Sequence, residues 1–111
     1  MAGTVKKLRE SPYIEGAEYV QLVEWTGDNS YEAGGEAFSL IEAGFGKEAV
    51  FKYANTCWIK NLSEQAVYQP TGAWFDGTKV HIVDNATGKE LAGTKDVSKV
   101  TILFEIHCTA N

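Results

Sequence analysis

Hydrophobic and polar positions alternate along short stretches of this chain, most clearly near its carboxy-terminal end. In SKVTILFEIHCT, apolar side chains occupy every second position from Val100 to Cys108, and mostly polar residues stand between them. A period of two is typical of a strand that buries one face. We therefore predict a half-buried strand here. His107 and Cys108 then point to opposite faces and cannot readily share a metal ion.

Four further segments have strand-forming residues bounded by turn signals. They are AEYVQLVEWT at 17–26, AVFKYANTCWIK at 49–60, AVYQP at 66–70 and TKVHIVDN at 78–85. Asp76 and Gly77 separate AWF from TKV and favour a hairpin, because both residues tolerate positive φ. We therefore predict that the second half is a meander. EAFSLIEAG at 36–44 has apolar residues near one side, acids in its first turn and a glycine stop, which predicts a helix of one or two turns.

These elements together predict an all-β fold. About six or seven short strands with frequent turn signals are typical of an antiparallel β-sandwich, jelly-roll-like, or of a partly open barrel. At most one short helix accompanies them. The 111 residues suffice for a single domain, which we place at 14–111.

Residues 1–13 are predicted to form an extended N-terminal arm. The segment MAGTVKKLRESP has no amphipathic period, and its proline favours extended backbone before it. One interpretation is a frayed terminus. The other is an arm that becomes ordered against a partner, with Val5, Leu8 and Tyr13 as apolar anchors and the basic residues between them facing an acidic neighbour.

The charge of the chain excludes several classes of partner. Fifteen acidic and ten basic residues give a net charge of −5, and the basic residues are mostly scattered. This argues against direct binding of nucleic acid or of an anionic membrane. The sequence has no apolar run of membrane-spanning length and no signal peptide, so we expect the chain to stay in a cytoplasm, with Cys57 and Cys108 as free thiols.

The sequence predicts no catalytic, cofactor or metal site. The common nucleophile, phosphate-loop and zinc motifs are absent, so we do not expect an enzyme. Asp84 shares a strand face with Ile82, so its side chain diverges from that of His81. Asp28, Glu32 and Glu36 recur every four residues, which differs from the spacing of a calcium loop. We interpret their segment as a solvated loop whose glycines permit tight turns.

Aromatic residues are the remaining candidates for a binding role. The chain has three Trp and five Tyr. Trp74 and Phe75 lie at the lip of the predicted hairpin, and Trp58 lies on the more polar face of its strand. Exposed aromatic side chains mark binding surfaces for sugars or for protein pockets. The alternative is that these tryptophans are ordinary packing residues.

One stretch carries a resemblance to a known group of proteins. A strand ending in EWTGD is followed by SYEAGGEAF, with Tyr31, Gly34 and Gly35, then by FG and the strand AVFKYAN. This succession, over roughly residues 18–55, resembles small head-associated proteins of tailed double-stranded DNA bacteriophages. Size, acidity and predicted strands are similar to their capsid decoration, cement or staple proteins, including that of epsilon-type short-tailed Salmonella phages. The strands KVHIV and VTILFEIHC match no motif of these proteins.

The resemblance implies a structural virion protein. Such a protein binds the outside of an assembled capsid and ties neighbouring major capsid subunits together, which stabilises the head against packaged DNA. It implies no cofactor, the major capsid protein as partner, a homo-oligomer with a dimer favoured, and a place on the capsid surface after synthesis in the host bacterial cytoplasm. The residues expected to contact the capsid are Val5, Lys6, Leu8, Pro12, Tyr13, Tyr31, Gly34, Gly35, Trp74 and Phe75.

Two other functions are consistent with the same sequence features. A carbohydrate-binding β-sandwich, such as a phage adhesion module or a lectin-like domain, would use Trp58, Trp74 and a tyrosine to stack on sugar rings. A tail or connector component of the same particle would instead form a closed ring through heterologous contacts.

Overall fold

The residues that the structure describes form eight strands. The computed structural model describes residues 3–61, 72–83, 87–93 and 95–111, and no helix occurs within these ranges. The predicted strand at 66–70 and the residues Asp84 and Asn85 lie outside them. The strands are β1 Thr4–Lys7, β2 Tyr13–Glu15, β3 Glu18–Thr26, β4 Glu36–Ala37, β5 Val50–Asn61, β6 Ala73–Phe75, β7 Lys79–Ile82 and β8 Val100–Ala110.

The strands form two antiparallel sheets. The large sheet has the order β1-β3-β8-β5, and β2 also pairs with β3; the small sheet has the order β4-β7-β6. Every pairing between these strands is antiparallel. The predicted all-β antiparallel class is confirmed, as a sandwich whose described strands close no barrel.

The core lies between the two sheets. The predicted apolar face of β8, from Val100 to Cys108, is buried at every second position, as the alternation requires. Phe75 of the small sheet meets it, with its ring centroid 6.0 Å from that of Phe104. Full burial of one such side chain stabilises a fold by about 1.5–3 kcal/mol. The strand predictions at 17–26 and 49–60 are confirmed as β3 and β5.

The N-terminal segment differs from the predicted arm. Thr4–Lys7 is an edge strand, in which Val5 pairs with Trp25, and the backbone N–H of Leu8 donates a hydrogen bond to the Leu22 carbonyl at 3.0 Å. The segment is extended, as predicted, but it lies on its own sheet. The strand β1 has only four residues, too few to show the alternation of apolar and polar positions by which a strand is predicted from sequence. The edge of β3 nevertheless supplies backbone partners that an extended segment needs.

The helix predicted at 36–44 is wrong. Glu36–Ala37 forms β4, and the residues that follow make a single turn. The backbone N–H groups of Ser39 and Glu42 each donate to the side-chain oxygen of the other, at 3.1 and 3.2 Å, which is a capping box. Gly44, at φ 97°, ends the turn in the left-handed conformation that glycine favours. The capping residue Ser39 and the terminating Gly44 are only five positions apart, which leaves room for one turn and no helix.

The predicted hairpin is confirmed, and the predicted meander is wrong. Trp74 pairs with His81 across β6 and β7, and Gly77 turns the chain at φ 103°. The Asp76 carboxylate accepts hydrogen bonds from the backbone N–H groups that follow the turn. However, β8 pairs with β3 and β5 in the other sheet. Both edges of β7 are already occupied by β4 and β6, so β8 cannot pair there.

The surroundings of both cysteines disfavour the thiolate form. Cys57 is exposed, Cys108 is buried, and both are free thiols. Burial raises the pKa of Cys108 to about 11, and burial also raises the pKa of Cys57. Within the described part of the chain, no helix has the length and apolar character needed to cross a membrane.

Candidate functional site

Two histidines lie on opposite outer faces of the sandwich. His81 of β7 and His107 of β8 each stand between two buried core residues, so both side chains point away from the core. Each imidazole has carboxylates at both ring nitrogens and an aromatic ring stacked on its face. We name these clusters the small-sheet centre (Trp74, Asp76, His81 and Glu90) and the large-sheet centre (Glu18, Tyr53, Glu105 and His107).

The small-sheet centre holds an exposed indole ring in a fixed position. Nε2 of His81 lies 2.7 Å from Oδ2 of Asp76, and Nδ1 contacts Oε1 of Glu90. The rings of Trp74 and His81 are stacked, with centroids 4.6 Å apart and planes 13° apart. Trp74 remains 43% exposed. One face of the indole therefore lies on the imidazole, while the side chain stays accessible to a partner.

The carboxylates of this centre favour the charged imidazole. Burial by itself would lower the pKa of His81, but hydrogen bonds to Asp76 and Glu90 raise it above its ordinary value. Burial likewise opposes ionisation of Asp76. Its hydrogen bonds with His81 and with the backbone of Thr78 and Lys79 prevail and hold the pKa of Asp76 well below its usual range. Both carboxylates thus favour the imidazolium, which would donate a hydrogen bond to each of them.

A loop between β3 and β4 supports this centre from behind. The hydroxyl of Tyr31 donates to Oε1 of Glu90 at 3.3 Å and accepts the backbone N–H of Ile82 at 3.2 Å. Burial, together with Glu90, raises the pKa of Tyr31 to about 12, so the hydroxyl stays protonated. A Cβ on Gly35, at φ 111°, would lie 3.0 Å from ring atoms of His81. Glycine thus lets the loop backbone approach the imidazole.

The large-sheet centre repeats the same arrangement with a tyrosine. Nδ1 of His107 lies 2.7 Å from Oε1 of Glu18, and Nε2 lies 2.8 Å from Oε1 of Glu105. The Tyr53 ring is stacked on the imidazole, with centroids 4.3 Å apart and planes 13° apart. Lys52 forms a salt bridge with Glu18. Three neighbouring strands thus contribute to one cluster.

Charge stabilises this second cluster as well. Burial would lower the pKa of His107, but hydrogen bonds to Glu105 and Glu18 raise it. The pKa of Glu18 is lowered, first by its hydrogen bond with Lys52 and then by that with His107. Hydrogen bonds from His107 and Asn55 lower the pKa of Glu105. On each outer face of the sandwich, the neighbouring carboxylates therefore favour the cationic form of the histidine.

The residues predicted at the loop and hairpin divide into exposed and buried groups. Trp74 belongs to the small-sheet centre, Gly35 packs against it, and Gly34 is exposed at φ 89° with open space where a Cβ would stand. Tyr31 and Phe75 are only 1% and 4% exposed. Their prediction as surface contacts is corrected: both rings pack in the core, and the Tyr31 hydroxyl acts through Glu90.

The predicted arm residues lie at the edge of the large sheet. Val5 packs against the core, Lys6 is exposed with its Nζ 4.0 Å from Glu24, and Leu8 is exposed. Pro12 is half-buried. Tyr13 is also half-buried, and it faces the large-sheet centre: the register runs from Tyr13 to Val20, His107 and Tyr53 in one row across the outer face.

The tryptophans are now separated into packing and surface residues. Trp25 is fully buried, whereas Trp58, 38% exposed, lies opposite Leu103 on the outer face of the large sheet. The histidine centres themselves were missed by the sequence reasoning. The spacing of Glu105 and His107, two apart on one strand face, was a visible signal. The partner Glu18 lies 89 positions from His107 in the sequence, so no local pattern linked these two residues.

The nitrogens of both imidazoles are occupied by carboxylates. An aromatic ring is stacked on the face of each imidazole. Over residues 3–61, 72–83, 87–93 and 95–111, no group of three or more His, Cys, Asp or Glu side chains is placed to hold a metal ion. No family model, curated protein or solved structure matches the chain. Two fixed aromatic platforms on opposite faces are the features that a partner would meet.

Proposed function

We propose that this protein is a structural component of a phage head that binds the outer surface of the assembled capsid and ties neighbouring major capsid subunits together. The observation that carries the proposal is the pair of exposed aromatic rings, Trp74 and Tyr53, held on opposite outer faces of the sandwich. A molecule that joins two neighbours needs two separate contact surfaces. The resemblance of residues 18–55 to head-associated proteins supports the same role.

Each platform has the properties of a binding hot spot. Aromatic residues dominate the energy of protein interfaces, and truncating a hot-spot side chain costs about 2 kcal/mol or more. A ring already stacked on a histidine loses little side-chain freedom when a partner docks, so less entropy opposes binding. Contacts to several subunits then reinforce one another through high effective concentration. Moderate interfaces can thus give stable attachment to a shell.

The edge strand β1 offers a further contact of the same molecule. Lys6 of β1 and Leu8, which follows the strand, are exposed, while the backbone of the segment is hydrogen-bonded to β3. Deleting the first eleven residues would therefore remove a strand as well as the contacts. Substituting Lys6 and Leu8 by serine tests the contact alone, because the pairing of β1 with β3 uses backbone groups. Unchanged shell binding of this double variant would exclude a contact through the Lys6 and Leu8 side chains.

The experiment is co-sedimentation with capsid shells from an infected lysate, stripped of their own decoration protein. We expect saturable binding at a fixed number of copies per shell, no binding to free capsid subunits, and a higher rupture temperature of the decorated shell. Absence of binding to any shell would reject the proposal.

Substitutions locate the contact surfaces. Trp74→Ala and Tyr53→Ala should each weaken shell binding by at least about tenfold and reduce the gain in rupture temperature. The matched control is Ile41→Ala, because Ile41 is 64% exposed but lies on the turn after β4, outside both centres. If Trp74→Ala and Tyr53→Ala bind like the Ile41 variant, the two platforms are not the contacts.

Carbohydrate binding is the second candidate function. The specific observation in its favour is that the Trp74 ring is stacked on His81, whose two nitrogens contact the Asp76 and Glu90 carboxylates. A sugar ring could stack on the exposed indole while its hydroxyls donate hydrogen bonds to acceptors of the same centre. A glycan-array screen distinguishes the two functions. Binding of a defined sugar at millimolar or lower Kd, lost in Trp74→Ala and without any shell binding, would favour this function.

A further inference from the structure

Glu36 is an ionisable side chain enclosed in the core. It is 0% exposed, and within the described part of the chain neither of its carboxylate oxygens has a hydrogen-bond partner. Glu36 pairs with Val80 of β7, so its side chain shares the core-facing side of the small sheet. An ionised carboxylate in such a place is strongly unfavourable, because it loses its hydration without gaining a donor.

The charged neighbours of Glu36 make ionisation harder still. Burial raises the pKa of Glu36 to about 7, and the negative charges of Asp28 and Glu32 add to the shift. Titratable or charged groups that face this segment from the surrounding elements are Asp28, Tyr31, Glu32, Lys79, His81 and Glu90.

The strand that carries Glu36 is weakly attached. β4 has only two residues, at the edge of the small sheet, and one more hydrogen bond follows it, from the backbone N–H of Phe38 to the Thr78 carbonyl at 3.0 Å. Gly35, just before the strand, packs against His81. Detaching β4 therefore breaks few backbone hydrogen bonds compared with unfolding the sandwich.

We propose that β4 is a latch controlled by one proton: it stays paired with β7 while Glu36 is protonated, and it detaches when Glu36 ionises, so that the carboxylate reaches water. Detachment exposes one edge of β7, whose free backbone groups would then be open to another strand. The latch does not depend on the proposed capsid function.

The direction of the pH effect follows from linkage. Glu36 has an ordinary pKa of 4.5 and a pKa of about 7 in the closed state, so the closed state binds the proton more tightly. Its advantage is full below about pH 4.5, falls as pH rises towards 7, and levels off above that. The raised pKa of His81 acts in the same direction at higher pH.

Hydrogen–deuterium exchange of peptides covering residues 31–38 tests the latch. After correction for intrinsic exchange rates, protection in the native protein should fall by about tenfold per pH unit between pH 5 and 7, then level off. Glu36→Gln, which cannot ionise, should show flat protection over this range. Glu48→Gln, a change at an exposed acid, should behave like the native protein. Flat protection in the native protein would overturn the proposal.

Two further measurements keep the test decisive. If Glu36→Gln fails to fold, carbon-13 titration of the Glu36 carboxyl in the native protein should give an apparent pKa near 7. A value in the ordinary range of glutamate would overturn the latch. Exchange is also measured at pH 8 with millimolar Ca²⁺, where we expect no recovery of protection. Recovery would mean that the buried carboxylate is a cation site instead of a proton latch.

Discussion

At the scale of single residues, His107 connects three strands through one imidazole. Its ring bonds Glu18 of β3 and Glu105 of its own strand, and Tyr53 of β5 stacks on it. The His107 side chain is nearly buried. If it were removed, water could not fully replace the hydrogen bonds that it makes with the two carboxylates. A histidine in this position therefore stabilises the large sheet as well as holding the aromatic platform.

We expect His107→Gln to lower the free energy of unfolding by about 1–3 kcal/mol, because one or both carboxylates lose a charged donor in a partly buried site. Urea denaturation measures this difference. Lys6→Gln is the control, since Lys6 is exposed and 4.0 Å from Glu24, and it should change stability by less than about 0.5 kcal/mol. Equal effects of the two substitutions would contradict a structural role for His107.

The neighbours Trp74 and Phe75 show what alternation alone leaves open. Adjacent residues of a strand point to opposite faces, so only one of the two can face the core. The sequence does not reveal which one, since both are large and aromatic. The decision comes from packing: Phe75 meets Phe38 and Phe104, whereas Trp74 meets His81 across the hairpin. Both were predicted at the surface, and only Trp74 is there.

At the scale of elements, long strands were predictable and short ones were not. The strands β3, β5 and β8 are long enough to show alternation and β-branched residues, so their positions follow from the sequence. β1 and β4 have only four and two residues. Each forms because a longer neighbour, β3 or β7, leaves one edge free for pairing. The acids and apolar residues at 36–44 resembled a helix because a capped single turn begins with the same signals.

Gly34 and Gly35 provide a matched pair for the loop before β4. Both have positive φ, but a Cβ on Gly34 meets open space and one on Gly35 meets the His81 ring at 3.0 Å. We expect Gly34→Ala to cost about 1 kcal/mol from backbone strain alone. Gly35→Ala should cost more, about 2–4 kcal/mol, because strain and overpacking add.

Thermal unfolding compares the two alanine variants, and an NMR titration of His81 gives a second readout. Gly35→Ala should also lower the pKa of His81, since a displaced imidazole loses its bonds to Asp76 and Glu90. Gly34→Ala should leave this pKa unchanged. Equal destabilisation by both variants, with an unshifted His81, would mean that the close approach of the loop does not position the imidazole.

At the scale of the whole molecule, the fold class could be predicted and the site could not. An all-β sandwich follows from many short alternating segments within one domain-sized chain. The two centres depend on which strands become neighbours: β8 lies between β3 and β5, and this order brings Glu18 to His107. Strand order is a property of the assembled sheets, so residues far apart in sequence gave no local signal.

The ionisable groups of the whole molecule set its stability against pH. Asp76, Glu18 and Glu105 have lowered pKa values, so their stabilisation is present above about pH 4 and is lost as pH falls. His81, His107 and Glu36 have raised pKa values, so their stabilisation is present at low pH and is lost as pH rises. Both trends favour maximum stability near about pH 5.

We expect the Tm to be highest near about pH 5 and to fall by pH 8, with Glu36 alone removing on the order of 2–4 kcal/mol between about pH 4.5 and 7. Calorimetry across this range measures the profile. The variant Glu36→Gln should reduce the loss above pH 5 and leave the acid side unchanged, because the lowered pKa values of Asp76, Glu18 and Glu105 do not depend on Glu36. A Tm that rises steadily to pH 8 would contradict the assignment, because the raised pKa values would then not belong to the folded state.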